Sequence, residues 1–185
     1  TMANMLIIFG LVTYATKGVS FGAIDPAIPN IFIPKAGRFP MIILWAIIAV
    51  VVVWFIWNKT TFGKNLYAVG GNPEAATVSG ISVFKVTMGA FIMAGILYGF
   101  GSWLECLRMV GSGSAAYGQG WDMDAIAACV VGGVSFTGGI GKISGVVTGV
   151  LIFTSLTYSL TILGIDTNLQ FIFEGIIILA AVTLD

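Results

Sequence analysis

Histidine is absent from the 185 residues, which removes the commonest proton shuttle and metal ligand among side chains. Only two cysteines occur, Cys106 and Cys129, without the spacing of a zinc site, so both read as small apolar packing residues. No metal site and no cofactor are expected. Charge is scarce: Asp, Glu, Lys and Arg together make 9% of the chain, against about one quarter in a soluble domain. Eight Lys or Arg balance eight Asp or Glu, and no block of like charge occurs. With neither a net field nor a basic patch, nucleic acid is excluded as a partner. A membrane-embedded enzyme would need a nucleophile, a base or a metal set, and no His, no Cys pair and no acid cluster supplies one. A phosphate loop is lacking too. Gly63-Lys64 and Gly141-Lys142 have no Gly five residues ahead of the Gly and no Ser or Thr after the Lys, so the chain has no ATP site of its own.

What is present is apolar: 58% hydrophobic residues and a mean hydropathy of +1.03, a composition for a lipid bilayer. A spanning helix needs about 20 apolar residues to cover a hydrocarbon core about 30 Å thick. Residues 40–57 carry no charge and end in Trp54, Phe55 and Trp57, aromatics suited to the headgroup boundary. Residues 86–104 and 143–163 are also uncharged, 169–184 carry one acid, Glu174, and 2–16 form a shorter run. Residues 125–141 are uncharged but crowded with Gly132, Gly133, Gly138, Gly139 and Gly141. They read as a full but irregular span, with a re-entrant turn as the alternative. The fold class expected is all-α, a polytopic transmembrane helix bundle of about six spans including that short Gly-rich one. The chain is apolar from Met5 almost at once, with no basic leader, which reads as a fragment beginning inside or beside a span. Residues 17–39 hold Pro26, Pro29 and Pro34 and form a loop too interrupted for a continuous helix. Small residues recur at Gly95 and Gly99, and at Gly141, Gly145 and Gly149, a spacing that lets helix backbones approach closely in lipid. Basic residues leave the orientation tied: Lys17, Lys35 and Arg38 lie in one loop, Lys59, Lys64 and Lys85 in the next.

The most informative stretch is the polar loop Gly70-Gly71-Asn72-Pro73-Glu74-Ala75-Ala76-Thr77-Val78-Ser79-Gly80. It reads as a helix of about two turns over 73–80. Asn72 can cap the free amides, Pro73 suits the first helical position, Glu74 complements the positive helix end, and Gly80 can take the left-handed terminating conformation. So short a helix is marginal alone and needs something to pack against.

Glu74, Ala75, Ala76 and Gly80, as Glu-Ala-Ala, three residues, then Gly, resemble the coupling helix of ABC import permeases, the loop that docks on the ATPase subunit. The wider strings 58–80, 124–136, 138–141 and 145–149 are similar to the ribose, xylose and galactose permease family, and within it most like its galactose and methyl-galactoside members. The resemblance runs over nearly the whole chain, is weakest at 17–39, and corresponds to the family's C-terminal half. It implies that residues 1–185 are one membrane domain, that 59–85 is a cytoplasmic loop, and that 17–39 faces the periplasm or exterior. It further implies a non-enzymatic permease of a monosaccharide importer in the bacterial cytoplasmic membrane. The partners implied are an ABC ATPase subunit, a sugar-binding protein, a second permease copy and the surrounding lipid. Asn72 and Pro73 would share the ATPase contact with the four motif residues. Glu174 departs from the pattern, standing where relatives often place a basic residue, so no family role is carried over to it.

Further candidates lie near the pathway. Glu105 and Arg108, three residues apart, can pair on one helix face and also sit near a pathway mouth. Asp122 and Asp124 can cap the first turn of the Gly-rich segment or, with Trp121, offer hydrogen bonds and stacking to a sugar. Glu174, about five residues into a span, is a functional candidate as any intramembrane acid is. The competing reading is a secondary transporter or channel for a small polar solute, using Glu174 and the broken span as its site. That reading leaves the capped loop helix unexplained.

Overall fold

The computed structural model describes residues 2–19, 22, 25, 27–36, 39–110, 113, 114 and 117–184. Helix α1 is Met2–Thr16 and α2 is Ala27–Phe32, followed by the two-residue strands β1, Lys35–Ala36, and β2, Phe39–Pro40, paired antiparallel. Then come α3 (Ile42–Lys59), α4 (Thr61–Gly71), α5 (Pro73–Val78), α6 (Val83–Arg108), α7 (Trp121–Val131), α8 (Ile143–Ile162) and α9 (Thr167–Leu184). The expected all-α class holds. Among the described residues three helices, α3, α6 and α8, are long and apolar enough to cross a membrane, and Ala3–Thr16 and Leu169–Ala180 are shorter apolar helices. The count of about six spans remains an expectation. Large apolar side chains such as Ile47, Val51, Phe91, Ile96, Leu151 and Ile152 stand exposed on the three long helices. At roughly 25 cal/mol per Å² of apolar surface, such faces need lipid or protein around them.

The Gly-rich stretch 125–141 is irregular, as expected, and only its first part is helical. Helix α7 stops at Val131, and its 11 residues rise about 16 Å, half the hydrocarbon thickness. Gly133 adopts φ +78°, its amide bonds to the Val130 carbonyl and the Val134 amide to that of Cys129. That double closure ends a helix with a left-handed residue that glycine adopts without strain. Absence of charge marked the segment as apolar, and this stop signal decides where its helical part ends.

The chain packs as two compact units, residues 1–51 with 91–119 and residues 52–90 with 120–185. In the first, aromatics fasten the short α2. The Trp45 indole N–H donates to the Phe32 carbonyl at 3.0 Å, the Phe32 ring meets Trp103 edge-on at 5.1 Å, and Phe100 meets Trp45 at 5.9 Å. Pro29 falls in the first turn of α2, where a missing amide costs no helix hydrogen bond. In the second unit α7 packs on α8 and α9 around Ala127, Ala128 and Phe153, with Ile177 and Ile178 beside them. The α7–α8 crossing is backbone on backbone. A Cβ at Gly145 would strike the Gly132 carbonyl, and one at Gly149 the Ala128 carbonyl and the Gly132 amide. Gly145 and Gly149 thus pack within the chain.

Candidate functional site

The loop between α3 and α6 is built of two capped helices sharing one residue. At the end of α3 the Lys59 ammonium lies 5.8 Å from the Trp54 ring, an anchor of the kind found at membrane boundaries. Thr60 opens α4, its hydroxyl accepting from the Gly63 amide at 3.3 Å. Asn72 closes α4 by donating its amide to the Ala68 carbonyl and opens α5 by accepting from the Ala75 amide at 3.0 Å. Pro73 takes the first helical position and Glu74 the first turn, as expected. The stop is also as expected: Gly80 has φ +79°, with its amide on the Thr77 carbonyl and the Ile81 amide on that of Ala76. The helix proper is Pro73–Val78, and Ser79 and Gly80 form its termination rather than its last turn.

The two alanines of the motif do not share a face. Ala76 is 3% exposed, turned into the chain, whereas Asn72, Pro73, Glu74, Ala75 and Thr77 are exposed. Val78 is 91% exposed and Phe84, in the next helix, 73%. Glu74 and Val78 are four apart and lie on one side of the helix, opposite Ala76, a relation that helical spacing alone could have given. The outward face therefore combines a carboxylate, a small Ala75 and a bare isopropyl group.

Behind α5, α4 is wedged between two elements of the same unit. The Phe62 ring lies where a Cβ on Gly89 of α6 would be, 2.7 Å from it. At the other end Gly70 and Gly71 meet the turn ahead of α8: a Cβ on Gly70 would fall 2.7 Å from the Gly139 amide nitrogen. The Tyr67 hydroxyl donates to the Gly141 carbonyl at 2.7 Å. Gly141 precedes α8 and packs on the Val134 side chain, so it is a turn residue and not part of a helix-packing row with Gly145 and Gly149. Gly95 and Gly99 face open space.

Glu105 and Arg108 do pair. The Arg108 Nε donates to both carboxylate oxygens at 3.0 and 2.9 Å, and Nη2 pairs with Oε1. Tyr117, which spacing did not suggest, completes the group by donating to Glu105 Oε1 at 2.5 Å and accepting from Arg108 Nη2 at 3.0 Å. The carboxylate it serves raises the phenol above its usual range. Arg108 and Tyr117 are exposed and Glu105 is half-buried, and the group ties Tyr117 back to α6. Asp122 and Asp124 do not cap α7. The helix starts at Trp121 after Gly120, with no side-chain cap bond, which places both acids inside the first turn, where they complement the helix dipole. Trp121 is half exposed beside them. The side chain of Glu174 lies outside the described residues.

A family of membrane proteins described as the permease component of the branched-chain amino acid transport system matches residues 1–182. The chain belongs to this permease family. Curated relatives agree. The galactose/methyl galactoside import permease protein MglC of Treponema pallidum is 56% identical over the whole chain, which covers 36% of that protein. Its namesake in Escherichia coli is 51% identical over 80% of the chain and 44% of the relative. The ribose import permease protein RbsC of Bacillus subtilis is 35% identical over the whole chain and 58% of the relative. The chain thus spans about a third to three fifths of the length of these permeases, matching the C-terminal part of the galactose ones. No solved structure matches it. Three spanning helices and permease kinship make it a multi-pass membrane protein.

Proposed function

We propose that these residues belong to the transmembrane subunit of an ATP-binding-cassette importer for a monosaccharide, galactose or methyl galactoside, in the bacterial cytoplasmic membrane. The observation that carries this reading is the 56% identity, over the whole chain, to a permease named for that import. The subunit is a conduit rather than an enzyme: a sugar-binding protein delivers the sugar outside, a separate subunit hydrolyses ATP inside, and two permease copies enclose the path. The loop holding α4 and α5 is the cytoplasmic docking element. In its favour, α5 is capped at both ends and offers Glu74, Ala75 and Val78 outward, a small charged-and-apolar knob for a groove on the ATPase.

Two measurements on the full permease test the reading. Cells relying on this system are given labelled galactose, ribose or xylose; galactose uptake is expected, and ribose uptake without galactose reassigns the substrate. Single cysteines at Thr77 and Val78 are expected to crosslink to the ATPase subunit, and one at Ala76 to do so poorly, because that position is buried. An active complex in which neither exposed position crosslinks ends the docking role of α5.

A further inference from the structure

The docking helix is too short to transmit force by itself. It has six residues, and a helix of that length holds only while neighbours hold it. Its one covalent continuation toward the preceding span is α4, joined through the shared cap at Asn72. What α4 touches therefore decides where a displacement of α5 goes.

We infer that Tyr67 is a positioning residue that, with the Gly70–Gly139 contact, ties the docking loop to the turn ahead of α8, so that movement of α5 reaches the α7–α8 hairpin. The inference rests on the docking role proposed for α5. Two independent features carry it. The first is the hydrogen bond from the Tyr67 hydroxyl to the Gly141 carbonyl, which joins positions 74 apart in the sequence. The second is the reciprocal approach of backbones. A Cβ on Gly139 would lie 2.7 Å from Gly71 Cα, and one on Gly138 would lie 2.9 Å from the Gly70 carbonyl oxygen. No side chain stands between the two main chains there, so no rotamer can absorb a shift and the contact is stiff.

The surroundings of the tie are open. A cavity of about 650 Å³ and another of about 260 Å³ are both lined by Tyr67 and by 139–142, one also reaching Asn58 and Thr148, the other Trp57 and Cys129. The turn thus has room to move and is held by α4 at defined points. Beyond it, Lys142 is the N-cap residue of α8, and α8 is locked to α7 where Gly145 and Gly149 meet Gly132 and Ala128. A push on the turn displaces the two helices together.

The test uses the full permease assembled with its ATPase and sugar-binding subunits in proteoliposomes. Tyr67→Phe removes only the hydroxyl, and Gly139→Ala adds one methyl at the backbone contact. Docking is read by Val78→Cys crosslinking to the ATPase, and coupling by sugar transported per ATP hydrolysed. Expected for Tyr67→Phe is unchanged crosslinking and basal hydrolysis with transport per ATP lowered roughly five-fold, the scale of one lost hydrogen bond. Gly139→Ala is expected to exceed that loss. A Tyr67→Phe permease that crosslinks and transports at the original ratio overturns the tie alone. Loss of crosslinking together with transport in that variant assigns Tyr67 to assembly and also overturns it. Failure of Val78→Cys to crosslink with Tyr67 intact overturns the docking role, and the tie with it.

Discussion

Asn72 serves two helices with one residue. Its backbone is extended, its amide closes α4 on the Ala68 carbonyl, and its side-chain oxygen opens α5 at the Ala75 amide. Removing the side chain should fray α5 alone, because the α4 bond uses the main chain. Asn72→Ala is expected to cost about 1 kcal/mol of local stability, and Gly80→Ala about 1–2 kcal/mol, since a Cβ at φ +79° meets the following carbonyl. Hydrogen exchange of the full permease reads this out: amides of 75–81 should exchange roughly five- to ten-fold faster in either variant, while Asn72→Asp, which keeps the acceptor, stays near the original rate. Unchanged protection in Asn72→Ala would show that tertiary contacts, not the cap, hold α5. These caps were legible in the sequence because capping is chemistry between residues at most a few positions apart. Tyr67 on Gly141 and Tyr117 on Glu105 were not, because nothing local in either segment names a partner 74 or 12 positions away.

Helix elements were legible through their missing charge, and their packing was not. Residues 40–57, 86–104 and 143–163 anticipated α3, α6 and α8 to within a few residues, since lipid tolerates little but long apolar runs. The same small-residue spacing marks Gly95 with Gly99 and Gly145 with Gly149, yet only the second pair meets a partner backbone. Spacing reports that a close approach is possible and says nothing of which helix arrives. Substitution separates the two. Gly149→Leu must push α7 and α8 apart and is expected to destabilise the permease by about 1–3 kcal/mol. Gly95→Leu, in open space, should cost little within the chain. Thermal unfolding of the two purified variants in detergent checks the contrast; equal stability would mean that α7 and α8 do not cross at Gly149. A large loss at Gly95 instead would reveal a partner helix brought by another part of the protein.

For the molecule as a whole, the Gly-rich segment decides which side of the membrane the 163–166 turn occupies. Composition read 125–141 as a full but irregular span with a turn back as the alternative, and the 11 residues of α7 alone do not reach across. The decisive geometry is on the far side of that segment: Gly138, Gly139 and Gly141 are fastened to Gly70, Gly71 and Tyr67 of α4, so the start of α8 shares the membrane side of the docking loop. Helix α8 rises about 30 Å over its 20 residues, enough to cross. It ends at Leu163, where Gly164 turns the chain at φ +74° toward α9. With the docking loop cytoplasmic, as proposed, the 163–166 turn lies outside. A cysteine at Asp166, which is exposed in the structure, should react with a membrane-impermeant maleimide added to intact cells, while one at Thr77 should react only after the membrane is opened. Labelling of both positions from the same side would break the argument at its geometric step, because α8 could then not run from the α4 contact across the bilayer.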